Sequence, residues 1–339
     1  MSKNIQQPTI LKKSDSSRQQ KQKSEPTQPK ILTKATPKEN VQIPAPVSVQ
    51  QHQIRKEPEV QVDVMPMKSR QRFMYPHFNI DQKIFEHLDN ENSDFLVVAA
   101  IGVKNVGKST LMNIIADQKY VRINPDGTYE AFVDEHETFS TRKEQIYDGS
   151  TVDMFITTDR IFVLDPSPLA NNVQRRDMIV AESDDLKMLI MLFQICHLII
   201  VVHNGFPDLS LLRLINSADS MIPSDVKHRP NFVFVGNNLQ PGTKLHPIDL
   251  KIHTGVNLMI PNLHSQSNSF YHDIPQVIQD YQEQVFMLKR YSMMEDDEEI
   301  FTEKKWSQRV LQVMESMKGD YFLRKYDGLR DKYHQPVEN

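Results

Sequence analysis

"DFLVVAAIGVKNVGKST", Asp94 to Thr110, decides how the rest of the chain is read. Phe95 to Ile101 is apolar without alternation, as a strand covered on both faces requires. Gly102 to Ser109 then fits G-x-x-x-x-G-K-[ST], the phosphate-cradling loop, at every fixed position. The pattern of "KSTLMNIIADQ" behind it predicts a helix. Gly102 and Gly107 permit a tight path that turns several backbone N–H groups inward. A nucleotide phosphate is therefore expected against Lys104, Asn105, Val106, Gly107, Lys108, Ser109 and Thr110. Lys108 would bring charge to the phosphate oxygens, Ser109 a hydroxyl to Mg2+, and the helix its positive end.

Outward from that loop, apolar strands and amphipathic helices alternate. "TVDMFITT" and "RIFVLDP", parted at Asp159, read as a hairpin. "DDLKMLIMLFQIC" reads as a helix with Asp at its start, "HLIIVVH" as a strand, "DLSLLRLINSADSM" as an amphipathic helix and "NFVFVGN" as another strand. This order predicts an α/β fold of the phosphate-loop, G-domain-like kind: a mostly parallel sheet with one antiparallel edge and helices on both faces. Upstream, "RFMYPHFNIDQKIFEHL" reads as a lead-in segment and a short helix. Tyr120 to Ser150 is polar and too long for a simple connection. Toward the end, "IPQVIQDYQEQVFMLKRYSM" and "TEKKWSQRVLQVMESM" read as helices, the second with Trp306, Val310, Met314 and Met317 on one face. The acidic "MEDDEEI" between them reads as a solvated loop or first helical turn.

The chain's two parts differ in composition. Residues 1–70 contain no Phe, Tyr, Trp or Gly, but eleven Gln, eight Pro, and 13 Lys and Arg against 6 acids. Such a segment cannot offset its ordering entropy by burial and is expected to be a disordered basic arm. Without aromatics to stack on bases, it is expected to be a solvated tail, with no direct sequence-specific nucleic-acid contact. Residues 71–339 are expected to form the G-like domain with its C-terminal helices. Cys196 is the only cysteine, so no internal disulfide can form, and its apolar setting predicts a buried, inert thiol. "MSKNIQQPTILKKSDSS" has no apolar core of a secretory signal, and "LIMLFQICHLIIVV" is too short and too interrupted to span a membrane. A soluble intracellular protein is expected, without membrane contact.

The elements that accompany a phosphate loop in a GTP-hydrolysing domain are only partly present. Asp165, ending "RIFVLD", is placed to reach Mg2+ through water. The fourth position of D-x-x-G is Pro168, which has no N–H to offer a γ-phosphate. The next residue, where a water-orienting Gln often stands, is Leu169. In "FVFVGNNLQ", Asn237 and Asn238 fall where a base would be read. Asn238 stands in place of the Lys and Gln240 in place of the Asp of N-K-x-D, so guanine preference is expected to be weak or absent. Ser140 and Thr141 in "ETFSTRKEQ" read as ordinary loop residues rather than a switch hydroxyl. There is no C-x-x-C, H-E-x-x-H or G-x-S-x-G.

"DFLVVAAIGVKNVGKSTLMNIIA", "RIFVLDPSPL", "MLIMLFQICHLIIVVHNGFPDLSLLRLINSADSMIP" and "FTEKKWSQRVLQVMESM" together resemble, in order, the family of the G-fold subunit of the nonsense-mediated mRNA decay kinase complex, the SMG "nine" family. The resemblance implies a G domain related to the dynamin-like group that binds a purine nucleotide (GDP, GTP or ATP) with Mg2+, without established hydrolysis. It implies a cytoplasmic regulatory subunit paired with a sister G-like subunit (SMG "eight"). That pair would dock on a phosphatidylinositol-kinase-like protein kinase (SMG "one") and restrain its phosphorylation of an RNA helicase. The phosphate roles carry over onto Gly102 to Ser109 and the metal role onto Asp165. The base site, Asn237 and Asn238, departs from the G-domain pattern.

Two other functions fit the same loop. An active GTPase or ATPase switch could receive its missing groups from a partner in trans. A small-molecule kinase would want an Arg-rich lid, for which "NNVQRRD" offers Arg175 and Arg176.

Overall fold

The structure, a computed structural model, describes residues 66–125, 129–131, 133–141, 150–170, 178–239, 249–250, 253–254, 256–261, 274–293, 300–318 and 322–328. The arm expected over residues 1–70 therefore lies outside the described residues up to residue 65, as do Arg175, Arg176, Gln240 and nearly all of "MEDDEEI". In chain order the elements are β1 (Gln71–Tyr75), β2 (Asn79–Ile80), β3 (Leu96–Ile101), α1 (Lys108–Ala116), β4 (Val121–Ile123), β5 (Tyr129–Ala131), β6 (Val152–Ile156) and β7 (Ile161–Pro166). There follow α2 (Met178–Ile195), β8 (Leu198–His203), α3 (Leu209–Met221), β9 (Asn231–Leu239), β10 (Asp249–Leu250), β11 (His253–Thr254), β12 (Val256–Pro261), α4 (Ile274–Phe286) and α5 (Glu303–Lys318).

Eight strands make the main sheet in the order β12-β9-β8-β3-β7-β6-β1-β2. β3 runs parallel to both β7 and β8, β8 to β9, and β9 to β12. β6 joins antiparallel to β7 through the expected hairpin, whose turn closes with Arg160 N–H on the Thr157 carbonyl at 3.1 Å. The predicted α/β class, mostly parallel with an antiparallel edge, is the one observed.

Every residue of β3 is buried because each face meets helices. Val97, Ala99 and Ile101 pack with α2, α3 and α5, while Leu96, Val98 and Ala100 pack with α1 and α4. Trp306, Val310, Met314 and Met317 are all buried, as their spacing predicts. The Trp306 indole N–H donates to the Ile195 carbonyl at 2.8 Å, and its ring meets Phe162 edge-on at 5.1 Å. Beside it, fully buried Glu303 holds Arg160 in an ion pair and accepts from Asn92 Nδ2 and the Asp89 N–H, each at 2.7 Å.

Several boundaries differ from the sequence reading, each for a tertiary reason. The lead-in segment forms two strands, because β6 offers it an edge: β1 pairs antiparallel with β6, and β2 with β1. Met67, within the stretch read as arm, is buried in the core. Within the described residues α2 is already helical at Met178, ahead of Asp184; exposed Met178, Ile179 and Val180 add a turn that carries no core-facing stripe. α4 ends at Phe286 instead of continuing to Met293. Beyond it, Arg290 Nη1 binds the Asp94 carbonyl at 2.6 Å and the Tyr291 carbonyl lies 3.0 Å from His197 Nε2, which draws the chain onto the sheet's lower end. The polar stretch after Tyr120 contains the β4–β5 hairpin and an anchor, Phe139, whose backbone makes two hydrogen bonds with the Asn113 amide at 2.6 and 2.8 Å.

Candidate nucleotide-binding site

The loop between β3 and α1 is shaped by what surrounds its two glycines. A Cβ on Gly102 would lie 2.6 Å from the Val202 carbonyl oxygen and 2.9 Å from Val106 Cγ2. At Gly107 the backbone is left-handed, with φ at +91°, and a Cβ would fall 2.2 Å from Asn237 Nδ2. Only glycine meets both demands. Asn105 also has positive φ, 65°, a conformation Asn tolerates better than most residues. The Asn237 amide then fixes the turn by donating to the Val106 carbonyl at 2.9 Å. The parallel pairing of β3, β8 and β9 brings this side chain, on β9, to the loop.

Lys108 opens α1 and is buried, its ammonium 3.5 Å from the Val103 carbonyl. Burial pulls its pKa down to about 8, partly opposed by the negative charge of Asp165. Ser109 donates its hydroxyl to Asp165 Oδ2 at 2.7 Å. The second oxygen, Asp165 Oδ1, is buried without a hydrogen-bond partner among the described residues. Desolvation raises the Asp165 carboxyl, against the lowering effects of Lys108 and of the Ser109 hydrogen bond. A buried orphan carboxylate oxygen next to a Ser hydroxyl fits a hard divalent cation such as Mg2+. Lys104 is half-buried, Asn105 exposed and Thr110 half-buried in the first helical turn.

The segment after Asp165 points inward. Pro168 and Leu169 are buried, and the Leu169 N–H donates to the Gly102 carbonyl at 3.1 Å. The next N–H, of Ala170, donates to Asp185 Oδ2 at 2.8 Å, from a carboxylate buried on α2. Asp185 was not legible as a site residue, since it sits within a helical pattern like any polar interruption. Asn238 is exposed, has φ of 55°, and its amide lies 3.4 Å from Asn204 Oδ1 and would lie 3.9 Å from a Cβ on Gly107. Thr141 gives both its N–H and its hydroxyl to Glu137 Oε1, at 2.6 and 2.7 Å. The structure thus gathers Lys108, Ser109 and Asp165 around the loop, ties Asn237 to it, and sets the exposed Asn238 amide beside Gly107.

Cys196 is buried, and burial pushes its thiol well above the usual range. Among the described residues no helix is long and apolar enough to cross a membrane, and no cluster of three or more His, Cys, Asp or Glu could hold a metal ion.

No family model matches the chain. Curated relatives do. The nonsense-mediated mRNA decay factor SMG9 of Xenopus laevis is 26% identical over 178 residues, covering 43% of this chain and 34% of that protein. The factor of the same name from Salmo salar is 25% identical over 173 residues, 47% of this chain and 33% of that protein. Protein SMG9 of Drosophila melanogaster is 28% identical over 197 residues, 52% of this chain and 37% of that protein. The chain spans about a third of the length of these relatives. The resemblance read from its motifs is met by these comparisons: the chain is similar, at modest identity over about half its length, to proteins named SMG9 in vertebrates, fly and worm.

Proposed function

We propose that this chain is a nucleotide-holding scaffold subunit in nonsense-mediated mRNA decay. In this reading it binds a purine nucleotide with Mg2+, pairs with a second G-like subunit, and with it restrains a phosphatidylinositol-kinase-like kinase. The similarity to proteins named as decay factors supports the pathway. The nucleotide role rests on one observation, the convergence of Lys108, Ser109 and Asp165 at a loop whose two glycines have no room for a side chain.

Each residue has a part in holding the ligand. Backbone N–H groups of the loop and the start of α1 present partial positive charge to phosphate oxygens. Lys108 neutralises them at close quarters, in a buried setting where charge acts strongly. Ser109 and Asp165 would hold Mg2+, which supplies further countercharge to the phosphates. Asn237 keeps the loop in the receptive shape.

The same surroundings support holding over turnover. Leu169 is buried where a water-orienting side chain would have to reach the site, and Pro168 offers no N–H. The loop is fastened at Gly102 and Asp185 rather than left to follow a γ-phosphate. The test is to denature the purified protein and identify the released nucleotide by chromatography, beside the Lys108→Ala variant. Stoichiometric purine nucleotide from the wild type and none from the variant is expected. An empty wild type, or sustained phosphate release abolished by Lys108→Ala, would overturn the proposal in favour of a vestigial site or an active hydrolase respectively.

A further inference from the structure

The Asp165 carboxylate has a neighbour that the phosphate-loop pattern does not foretell. β6 and β7 pair antiparallel with Asp153 directly opposite Asp165. Side chains so placed share one face of the sheet, their Cβ atoms roughly 4.5–5.5 Å apart. Ser109 reaches Asp165 from α1, so that face is the one that carries α1. Asp153 is only 8% exposed. Two carboxylates opposite one another and screened so little by water repel, unless cations stand with them.

The cations are shared unequally. β1 is the next strand, and its register sets Arg72 opposite Asp153. Arg72 Nε binds Asp153 Oδ1 at 2.7 Å, and Arg70 Nη1 binds Oδ2 at 2.6 Å. Guanidinium groups thus engage both oxygens of Asp153. Asp165 spends only one oxygen, Oδ2 on Ser109, and its Oδ1 is buried without a hydrogen-bond partner among the described residues. The neighbours also feel each other's charge. Besides burial, Lys108 and the Ser109 hydrogen bond, Asp153 acts to raise the Asp165 carboxyl and Arg70 to lower it.

This asymmetry bears on the metal. Mg2+ is commonly held by one or two carboxylates together with substrate phosphates. With its oxygens open, Asp153 would be a second carboxylate beside the first, and the pair could hold a divalent cation without any nucleotide. With both oxygens taken and its charge cancelled, a single carboxylate remains. Phosphates must then supply the rest of the negative charge.

We propose that Arg70 and Arg72 are specificity-determining residues of the metal site: by occupying Asp153 they make divalent-cation binding conditional on a bound nucleotide. The inference rests on the reading of Ser109 and Asp165 as Mg2+ ligands. It gives β1, three strands away from β3 in the sheet, a part in what the phosphate loop holds.

The test uses the full chain, freed of nucleotide by phosphatase and of metal by EDTA, then titrated with Mn2+ and followed by its spin resonance. Mn2+ prefers the same oxygen ligands as Mg2+. Wild type should bind Mn2+ only once GDP or ADP is restored. Arg70→Gln/Arg72→Gln keeps amide donors for Asp153 but removes both charges. It should bind Mn2+ without nucleotide at least about tenfold more tightly than wild type, as expected when a charge a few Å from a divalent cation is uncovered. Adding Asp153→Asn should abolish the gain. Arg70→Lys/Arg72→Lys keeps the charges and should behave as wild type, whereas a role confined to fastening β1 would move Mn2+ binding in none of these variants. Circular dichroism monitors folding. If the double Gln variant does not fold, each single Gln variant, with one arginine left on Asp153, should show a gain of about threefold. Tight Mn2+ binding by nucleotide-free wild type, no gain in a folded Gln variant, or a gain that survives Asp153→Asn would each overturn the proposal. Nucleotide released from the wild type separates the two readings. Bound nucleotide beside unchanged Gln variants rejects the arginine role alone, whereas the gain without bound nucleotide rejects the scaffold's ligand and upholds the arginine role at Asp153.

Discussion

The backbone N–H of Leu169 donates to the carbonyl of Gly102 at 3.1 Å, so the segment after Asp165 is tied directly to the first residue of the loop between β3 and α1. In a switching domain that segment would be free to turn its N–H toward a γ-phosphate. Here the donor is used, the Leu169 side chain is in the core, and Asp185 holds the following residue. Diphosphate and triphosphate forms of one nucleotide should therefore bind with affinities within about fivefold, one net hydrogen bond. Calorimetric titration with a diphosphate and a non-hydrolysable triphosphate measures this; a hundredfold preference for the triphosphate would contradict it.

The contact of Gly107 with Asn237 yields a pair of graded effects. Gly107→Ala places a methyl 2.2 Å from the Asn237 amide at a left-handed position, and should abolish nucleotide binding. Asn237→Ala removes the amide from the Val106 carbonyl and should weaken binding about tenfold while the fold persists. Fluorescent-nucleotide titration of both variants, with circular dichroism to monitor folding, checks the order.

Lys108 gives the site a pH signature. Its pKa is lowered to about 8 in the free protein, chiefly by burial. Phosphate must bind the charged form, so affinity should fall as pH rises from about 7 to about 9, with proton uptake on binding above about pH 8. Calorimetry in buffers of different ionisation enthalpy reads that uptake. No proton uptake at the upper end would mean that Lys108 stays charged throughout.

At the other end of the sheet, His197 and His228 predict acid sensitivity. His197 accepts the Val97 N–H at 2.9 Å, and burial holds its pKa down to about 3. His228 lies 2.9 Å from the Cys196 carbonyl, with a pKa lowered to about 4. Above about pH 6.5 both are neutral, folded or unfolded, and no penalty arises. As pH falls below that value the unfolded chain takes up protons that the folded chain refuses, so stability drops toward pH 4 by a few kcal/mol (on the order of 2–4). Urea unfolding at about pH 7 and about pH 5 should show the loss, and His197→Asn should reduce it.

Glu303 supports the same region. It is fully buried, with Arg160, Asn92 and the Asp89 N–H around it. Glu303→Ala leaves the guanidinium without its counter-ion and should destabilise by about 3–5 kcal/mol. Denaturant midpoints compare it with wild type; a loss below about 1 kcal/mol would show that water replaces the carboxylate.

What the sequence disclosed follows how local each feature is. The strand–loop–helix of β3 and α1, the β6–β7 hairpin and the apolar stripe of α5 are written in consecutive residues, and all stand where their patterns put them. Asn237 draws notice in the sequence as a residue that would read a base, whereas its bond to the Val106 carbonyl, 131 positions away, shows only in the folded chain. Asp185 and Asp153 were not read. One sits inside a helix pattern and the other inside a strand pattern, and only the folded chain shows what faces them. β1 and β2 were missed because Pro76 and the left-handed His77 and Phe78 break their alternation, while the edge that orders them belongs to β6.

That edge has a consequence for where the domain can be cut. Arg70 and Arg72 reach Asp153 on β6 at 2.6 and 2.7 Å, and Met67 seals the core beneath them. A fragment begun at Asp94, where the recognisable motif starts, would strand Asp153 without either cation and bare one whole side of β6. Open strands of that kind pair with one another. Such a fragment should keep the phosphate loop in its sequence and lose it to aggregation in the tube, whereas one begun before Met67 should remain monodisperse.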